Sequence, residues 1–300
     1  MSLFRFRDRA SVLDDRSRRF LTTVAWLGGY VTPEQAQLLG VRNSAPRVHV
    51  QLKELEDWGF IKRVGVYPSI YQVTKSVTRL MGTDLSSRRQ HVNETIHTRL
   101  LTVNFYLEAI LWPVEFVFDH QQKISKLMKL GCEPALFPQR GQHGRRPYLW
   151  EDILLQRPSG ELVLTMVDHS DRMCSYQLHS FLKKFAPNLG LDELRLMVAV
   201  GSERRERLFR QQLSHPRLQR LLDEQGITMP LREILTIYRV QRAVPVVRPL
   251  ITNSQRLREL RALSLANRGR SAPQQPRHVI QNNPTHTHNG ISAERGDMSW

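Results

Sequence analysis

Residues 14–85 carry a run of signals that leaves little freedom in how they fold. In RSRRFLTTVAWLGGY, Phe20, Leu21, Val24 and Leu27 recur at helical spacing, and Gly28-Gly29 stops the helix. VTPEQAQLLG opens a second helix. Thr32 is its N-cap, Pro33 takes the first helical position, Gln35 completes a capping box and Gly40 ends it. RNSAPRVHVQLKELEDWG predicts a third, capped by Asn43 or Ser44, with Pro46 in the first turn and Val48, Leu52 and Leu55 on one face. FIKRV and IYQVT follow as short strands around the turn formers of GVYPS, and KSVTRLMG returns to helix.

Three helices and then a hairpin, in that order, predict a winged helix. In that fold the third helix enters the major groove of duplex DNA and the hairpin touches neighbouring phosphates. The expected outward side chains of the third helix are Arg47, His49, Gln51 and Lys53, with Arg42 and Ser44 at its start. Arg47 and Gln51 are the expected base readers, because Arg pairs bidentately with guanine and Gln with adenine. Lys62, Arg63 and Tyr67, on or near the wing, are expected to grip phosphates, which positions the protein without specifying sequence. Glu54, Glu56 and Asp57 keep the far end of the helix away from the backbone.

The charge agrees with such a partner. Forty-four Lys and Arg face 28 Asp and Glu, a formal net charge of +16. An excess of this size speaks of a polyanion: nucleic acid, an anionic membrane surface or an acidic protein. No apolar run approaches a membrane span, and MSLFRFRDRASVLDDRSRRF is too charged for a signal peptide. Cys132 and Cys174 have no C-x-x-C spacing, which fits a reducing cytoplasm better than a disulfide scaffold or thiolate zinc site. No glycine-rich loop of phosphate-binding form is present, so no nucleotide cofactor is expected, and the histidines lack zinc spacing.

Beyond the front domain, the polar stretch 86–95 reads as a linker. Residues 96–250 alternate helical and strand patterns, IHTRLLTVNFYLEAILW first, and predict an α/β domain with a mixed sheet. The basic tail 251–300 is rich in Pro, Gln, Asn and His and is expected to be largely disordered.

Within the second domain, YLWEDILLQ and ELVLTMVD flank the turn RPSG, and each strand carries an aspartate, Asp152 and Asp168. A three-residue loop sets Arg157 opposite Glu161 and Asp152 opposite Met166, so the two carboxylates are diagonal neighbours on one face. That spacing suits two oxygen ligands sharing a magnesium ion. A two-residue loop would place them on opposite faces.

The order of winged helix, HTRLLTVNFYLEAI, two strands with an acid each and a lysine-bearing helix resembles the replication-relaxation family and the MobC-type relaxases of mobilisable plasmids. The resemblance covers about residues 15–245. It implies a restriction-endonuclease-like PD-(D/E)xK second domain, with Asp152 and Asp168 as catalytic metal ligands. The motif's lysine falls on Ser170 and its proline on Glu151, so the implied centre is degenerate; Lys183 or Lys184 on the next helix would have to supply the missing cation.

Two main readings follow. One is a cytoplasmic protein of a mobile element that binds double-stranded DNA through the winged helix, with an inactive nuclease-like domain and no cofactor. The other is an enzyme, a Mg2+-dependent nicking nuclease or relaxase. A third is an adaptor in a relaxosome or transposition complex, whose tail helix around Leu257, Leu260 and Leu263 docks a protein partner.

Overall fold

The computed structural model describes residues 10–66, 68–81, 91–133, 135, 137, 139–140, 146–147, 149, 153–170, 172–185, 188 and 193–244. The predicted tail and the first half of the predicted linker, residues 86–90, lie outside the described residues.

The front third begins with α1 (Asp15–Trp26), whose N-cap Asp14 accepts from the Ser17 amide, and continues through β1 (Tyr30–Val31). Next comes α2 (Pro33–Leu38), carrying the predicted capping box: the Thr32 hydroxyl accepts from Gln35 N–H while the Gln35 side chain accepts from Thr32 N–H. α3 (Ala45–Asp57) follows, then β2 (Ile61–Val66), β3 (Ser69–Val73) and α4 (Lys75–Leu80). Phe20, Leu21, Val24, Val48, Leu52, Leu55 and Val77 meet in one buried cluster under the hairpin. The sequence did not announce β1, because two residues are too short to show a period. It completes a three-stranded sheet in the order β1-β3-β2.

α5 (Asn93–Ala109) starts three residues before the predicted helix and decides how the chain is assembled. It has no solvent stripe of ordinary width. Ile96 and Leu100 pack on Tyr30, Val64 and Ile70, and Val103 and Leu107 pack on Leu27. Leu101, Phe105 and Ala109 pack instead on the following sheet, against Ile153, Leu155, Val163, Met197 and Ala199. A helix buried all round belongs to two cores at once. Hydrogen bonds reinforce the junction. Gln35 Nε2 donates to Leu100 O (2.9 Å) and Asn104 Oδ1 (2.7 Å), and Asn104 Nδ2 donates to the carbonyls of Arg242 and Ala243. Arg99 donates to Gly28 O at 2.6 Å, over a glycine with φ of 99° where an added Cβ would sit 2.8 Å from the arginine stem.

The remainder is a mixed α/β layer. β4 (Glu115–Val117), α6 (His120–Lys129) and the short ribbon β5 (Gln139–Arg140) and β6 (Arg146–Pro147) precede the hairpin β7 (Ile153–Gln156) and β8 (Leu162–Asp168). Then follow α7 (Cys174–Phe185), β9 (Leu194–Val200), α8 (Glu203–Gln212), α9 (Pro216–Asp223), α10 (Leu231–Ile234) and β10 (Leu235–Arg239). The five-stranded sheet has the order β10-β9-β8-β7-β4, with β8, β9 and β10 parallel and β7 antiparallel to both neighbours. Alternation along the strands divides the two faces. Leu154, Leu162, Leu164, Leu196 and Val198 meet α7, α8 and α9, while the residues between them meet α5. Among the described residues no helix is long and apolar enough to cross a membrane.

Candidate functional site

Two surfaces matter: the outer face of α3, and the end of the sheet where Asp168 sits. Along α3, Val48, Gln51, Leu52 and Leu55 are buried. At 100° per residue these four fall within one arc of about 100°. The opposite arc presents Arg47, His49, Val50 and Lys53 to solvent. Gln51, at 4% exposure, is therefore not an outward base reader. Choosing 47, 49, 51 and 53 follows a period of two, which suits a strand; the helical period carries 51 to the side of 48, 52 and 55. Val50 takes its place. It is 59% exposed in the middle of the outward arc, and an apolar residue in a helix gives no sequence signal that it faces water.

Arg42 is half-buried and committed to the fold: its guanidinium meets the N-cap carboxylate Asp14 at 2.9 Å. Burial pushes the Asp14 carboxyl up, but the Ser17 hydrogen bonds and Arg42 outweigh it and hold it below the ordinary carboxylate value. Ser44 is the N-cap of α3 and its side chain makes no capping hydrogen bond. On the hairpin, Lys62 is half-buried and Arg63 is exposed. The Arg63 N–H donates to Glu56 Oε1 at 2.9 Å, and its guanidinium donates to Ser69 Oγ. Those contacts tie β2 to the end of α3 and to β3. Tyr67 lies outside the described residues.

The second surface is set by topology. β4, β8, β9 and β10 all end at one edge of the sheet, where β7 begins and where α6, α7 and α8 start. This is the edge at which open α/β sheets usually place their ligands. The loop of the hairpin is the three-residue form: Arg157 N–H donates to Glu161 O at 2.9 Å, Gly160 has φ of 93°, and Ile153 faces Thr165. Asp152 and Glu151 lie outside the described residues.

Asp168, 5% exposed, faces the α7–α8 side. Its Oδ1 accepts from Ser170 Oγ at 2.6 Å and from Ser170 N–H at 3.2 Å, and its Oδ2 is ion-paired with Arg205 of α8. Arg205 also donates to Arg172 O at 2.8 Å and covers the Phe209 ring. Both carboxylate oxygens are thus occupied by protein donors, and a guanidinium supplies the charge that a cation would bring. In this arrangement Asp168 does not fit a magnesium ligand. Among the described residues no cluster of three or more His, Cys, Asp or Glu is placed to hold a metal ion. Lys183 and Lys184 stand in the last turn of α7, ~14 Å along its axis from Cys174, which lies beside Asp168 and Arg205. The helix carries the two lysines away from the aspartate instead of bringing them to it. Among the described residues a different lysine, Lys123 in the first turns of α6, is 5% exposed and donates to Leu149 O at 3.1 Å. Both thiols are buried, and burial pushes Cys132 up to about 11, which keeps it protonated and unreactive at neutral pH.

His169 turns to the other face and stacks on His97 of α5 at 5.1 Å between ring centres. Comparison of the chain with protein-family models, with curated proteins and with solved structures returns no match.

Proposed function

We propose that this chain is a cytoplasmic DNA-binding protein whose front unit acts as a winged helix and whose second unit is a non-catalytic, nuclease-like scaffold. The observation that carries this reading is the outer face of α3. It spends no cation on the fold, presents Arg47, His49, Val50 and Lys53 together, and is flanked by a hairpin carrying Lys62 and Arg63. Arg47 and Lys53 supply charge-assisted donors, and Val50 supplies an apolar surface for a thymine methyl, the one apolar mark in the major groove. A formal charge of +16 adds the sequence-independent phosphate attraction. The resemblance to replication-relaxation and MobC-type proteins supports a role in plasmid or integrative-element mobilisation, with other proteins of a relaxosome or transposition complex as partners.

The Asp168–Ser170–Arg205 arrangement supports the non-catalytic half of the reading, because the carboxylate that would hold Mg2+ is already ion-paired and accepts a hydrogen bond on each oxygen.

The test is selection of bound sites from a random duplex library with the full chain, followed by titration of the selected duplex. Arg47→Ala is expected to weaken specific binding by about 1–3 kcal/mol, roughly 5- to 150-fold in Kd. Replacing one thymine of the site by uracil is expected to weaken the wild type and leave Val50→Ala unchanged. Selection that returns no preferred sequence would remove the recognition role. Incubation of supercoiled DNA carrying that site with Mg2+ or Mn2+ is expected to give no nicking; nicking that is absent in a folded Asp168→Asn variant would make the protein an enzyme.

A further inference from the structure

The outer face of α7 has the composition of a second binding surface, separate from α3. Its buried side holds Cys174, Leu178, Phe181, Leu182 and Phe185 against the sheet. On the opposite side, Met173 at the N-terminal boundary is 73% exposed and Tyr176 is 64% exposed. His179 and Lys183 are also exposed, three and seven residues beyond the tyrosine and therefore on the same face. The twelve residues of α7 include His179, Lys183 and Lys184 and no acid. The contrast with α8 is instructive. That helix carries more arginines, but Arg207 meets Glu203 at 3.2 Å and Arg210 meets Glu206 at 2.9 Å, so its charge is largely cancelled at the surface. α7 has no such internal acid.

We propose that this face binds single-stranded nucleic acid, with an unpaired base stacked on the Tyr176 ring and the strand's phosphates at His179 and Lys183. A projecting ring with an imidazole and the Lys183 cation along the same side, and no carboxylate in the helix, is complementary to a polyanion that carries flat π-faces. A duplex hides those faces in its stack, so an exposed tyrosine selects the single strand. Seven residues of helix separate Tyr176 from Lys183 by ~10 Å, which leaves room for a base at one end and backbone at the other. The assignment also gives Lys183 a role at the position where α7 carries it, remote from Asp168. It does not depend on DNA recognition by α3.

The experiment titrates fluorescent oligothymidine into the full-length protein at two salt concentrations, beside Tyr176→Ala, Tyr176→Phe, Lys183→Gln and Arg47→Ala. Thermal melts of the same variants verify that each is folded. Tyr176→Ala is expected to weaken binding about tenfold or more. Tyr176→Phe is expected to retain wild-type affinity, because stacking uses the ring and not the hydroxyl. Lys183→Gln should lower the slope of log K against log salt by about 0.7, and Arg47→Ala should leave oligothymidine binding unchanged. The proposal is overturned if the wild type does not bind oligothymidine, if Tyr176→Ala binds as well as wild type, or if the affinity follows Arg47 instead.

Discussion

Arg205→Ala is expected to cost about 3–5 kcal/mol of folding stability, the largest single-residue loss at the sheet edge. The Arg205 side chain is 15% exposed and that of Asp168 is 6% exposed, so removing the guanidinium strands a carboxylate in a nearly dry site. Ser170 would remain as its only described side-chain donor. The pair also joins two elements that are distant in sequence, the end of β8 and the first turn of α8. Urea unfolding followed by far-UV circular dichroism measures the loss. The double variant Asp168→Leu/Arg205→Met should recover most of it, since a matched apolar pair leaves no buried charge. A cost below about 1 kcal/mol for Arg205→Ala would mean that water already solvates the aspartate, and the neutralised-site reading would fall with it.

Asn104→Leu is expected to cost about 2–3 kcal/mol and to change the shape of unfolding as well as its midpoint. Asn104 is 3% exposed and accepts from Gln35 while donating to the carbonyls of Arg242 and Ala243. The leucine has similar bulk but leaves the Arg242 and Ala243 carbonyls without those donors and takes one acceptor from Gln35. Because these bonds tie α2 to α5 and to the chain after β10, their loss uncouples the front core from the sheet. Trp26 and Trp58 lie in the front third while Trp112, Trp150 and Trp300 do not, so with these last three replaced by Phe, tryptophan fluorescence should shift at lower urea than circular dichroism of the whole protein. Coincident transitions in the variant would show that the apolar packing of α5 alone makes the two cores one cooperative unit.

Most of the front third was legible because its signals are local. The Thr32–Gln35 capping box, the helix-stopping glycines and the Val48–Leu52–Leu55 stripe each depend on neighbours within one or two turns, and each is present in the fold. The hairpin register was legible for the same reason: Pro158 and Gly160 fix a three-residue loop, and the loop fixes every pair up to Ile153 and Thr165. The errors have two sources. Gln51 was expected to face outward and is buried, and Val50 was passed over and is exposed, because alternate residues were chosen where the helical period of the Val48–Leu52–Leu55 stripe applies. Lys183 or Lys184 was offered, from the family resemblance, as the cation that Ser170 does not supply, a placement that depends on tertiary structure, and a helix of twelve residues carries both away from Asp168.

By itself, then, the sequence determined the order of elements, the caps and turns that bound them, the mixed α/β character and the basic charge. These rest on interactions within a few residues or on composition, neither of which needs the chain to close on itself. Tertiary structure alone decided that α5 serves two cores and that Arg205, 37 residues beyond Asp168, is its counter-ion. It also decided that Arg42 belongs to Asp14, 28 residues before it, and not to the outward face of α3. A buried charge takes whichever partner the packing brings within reach, and the packing is settled by apolar faces that the partner's own sequence neighbourhood does not reveal.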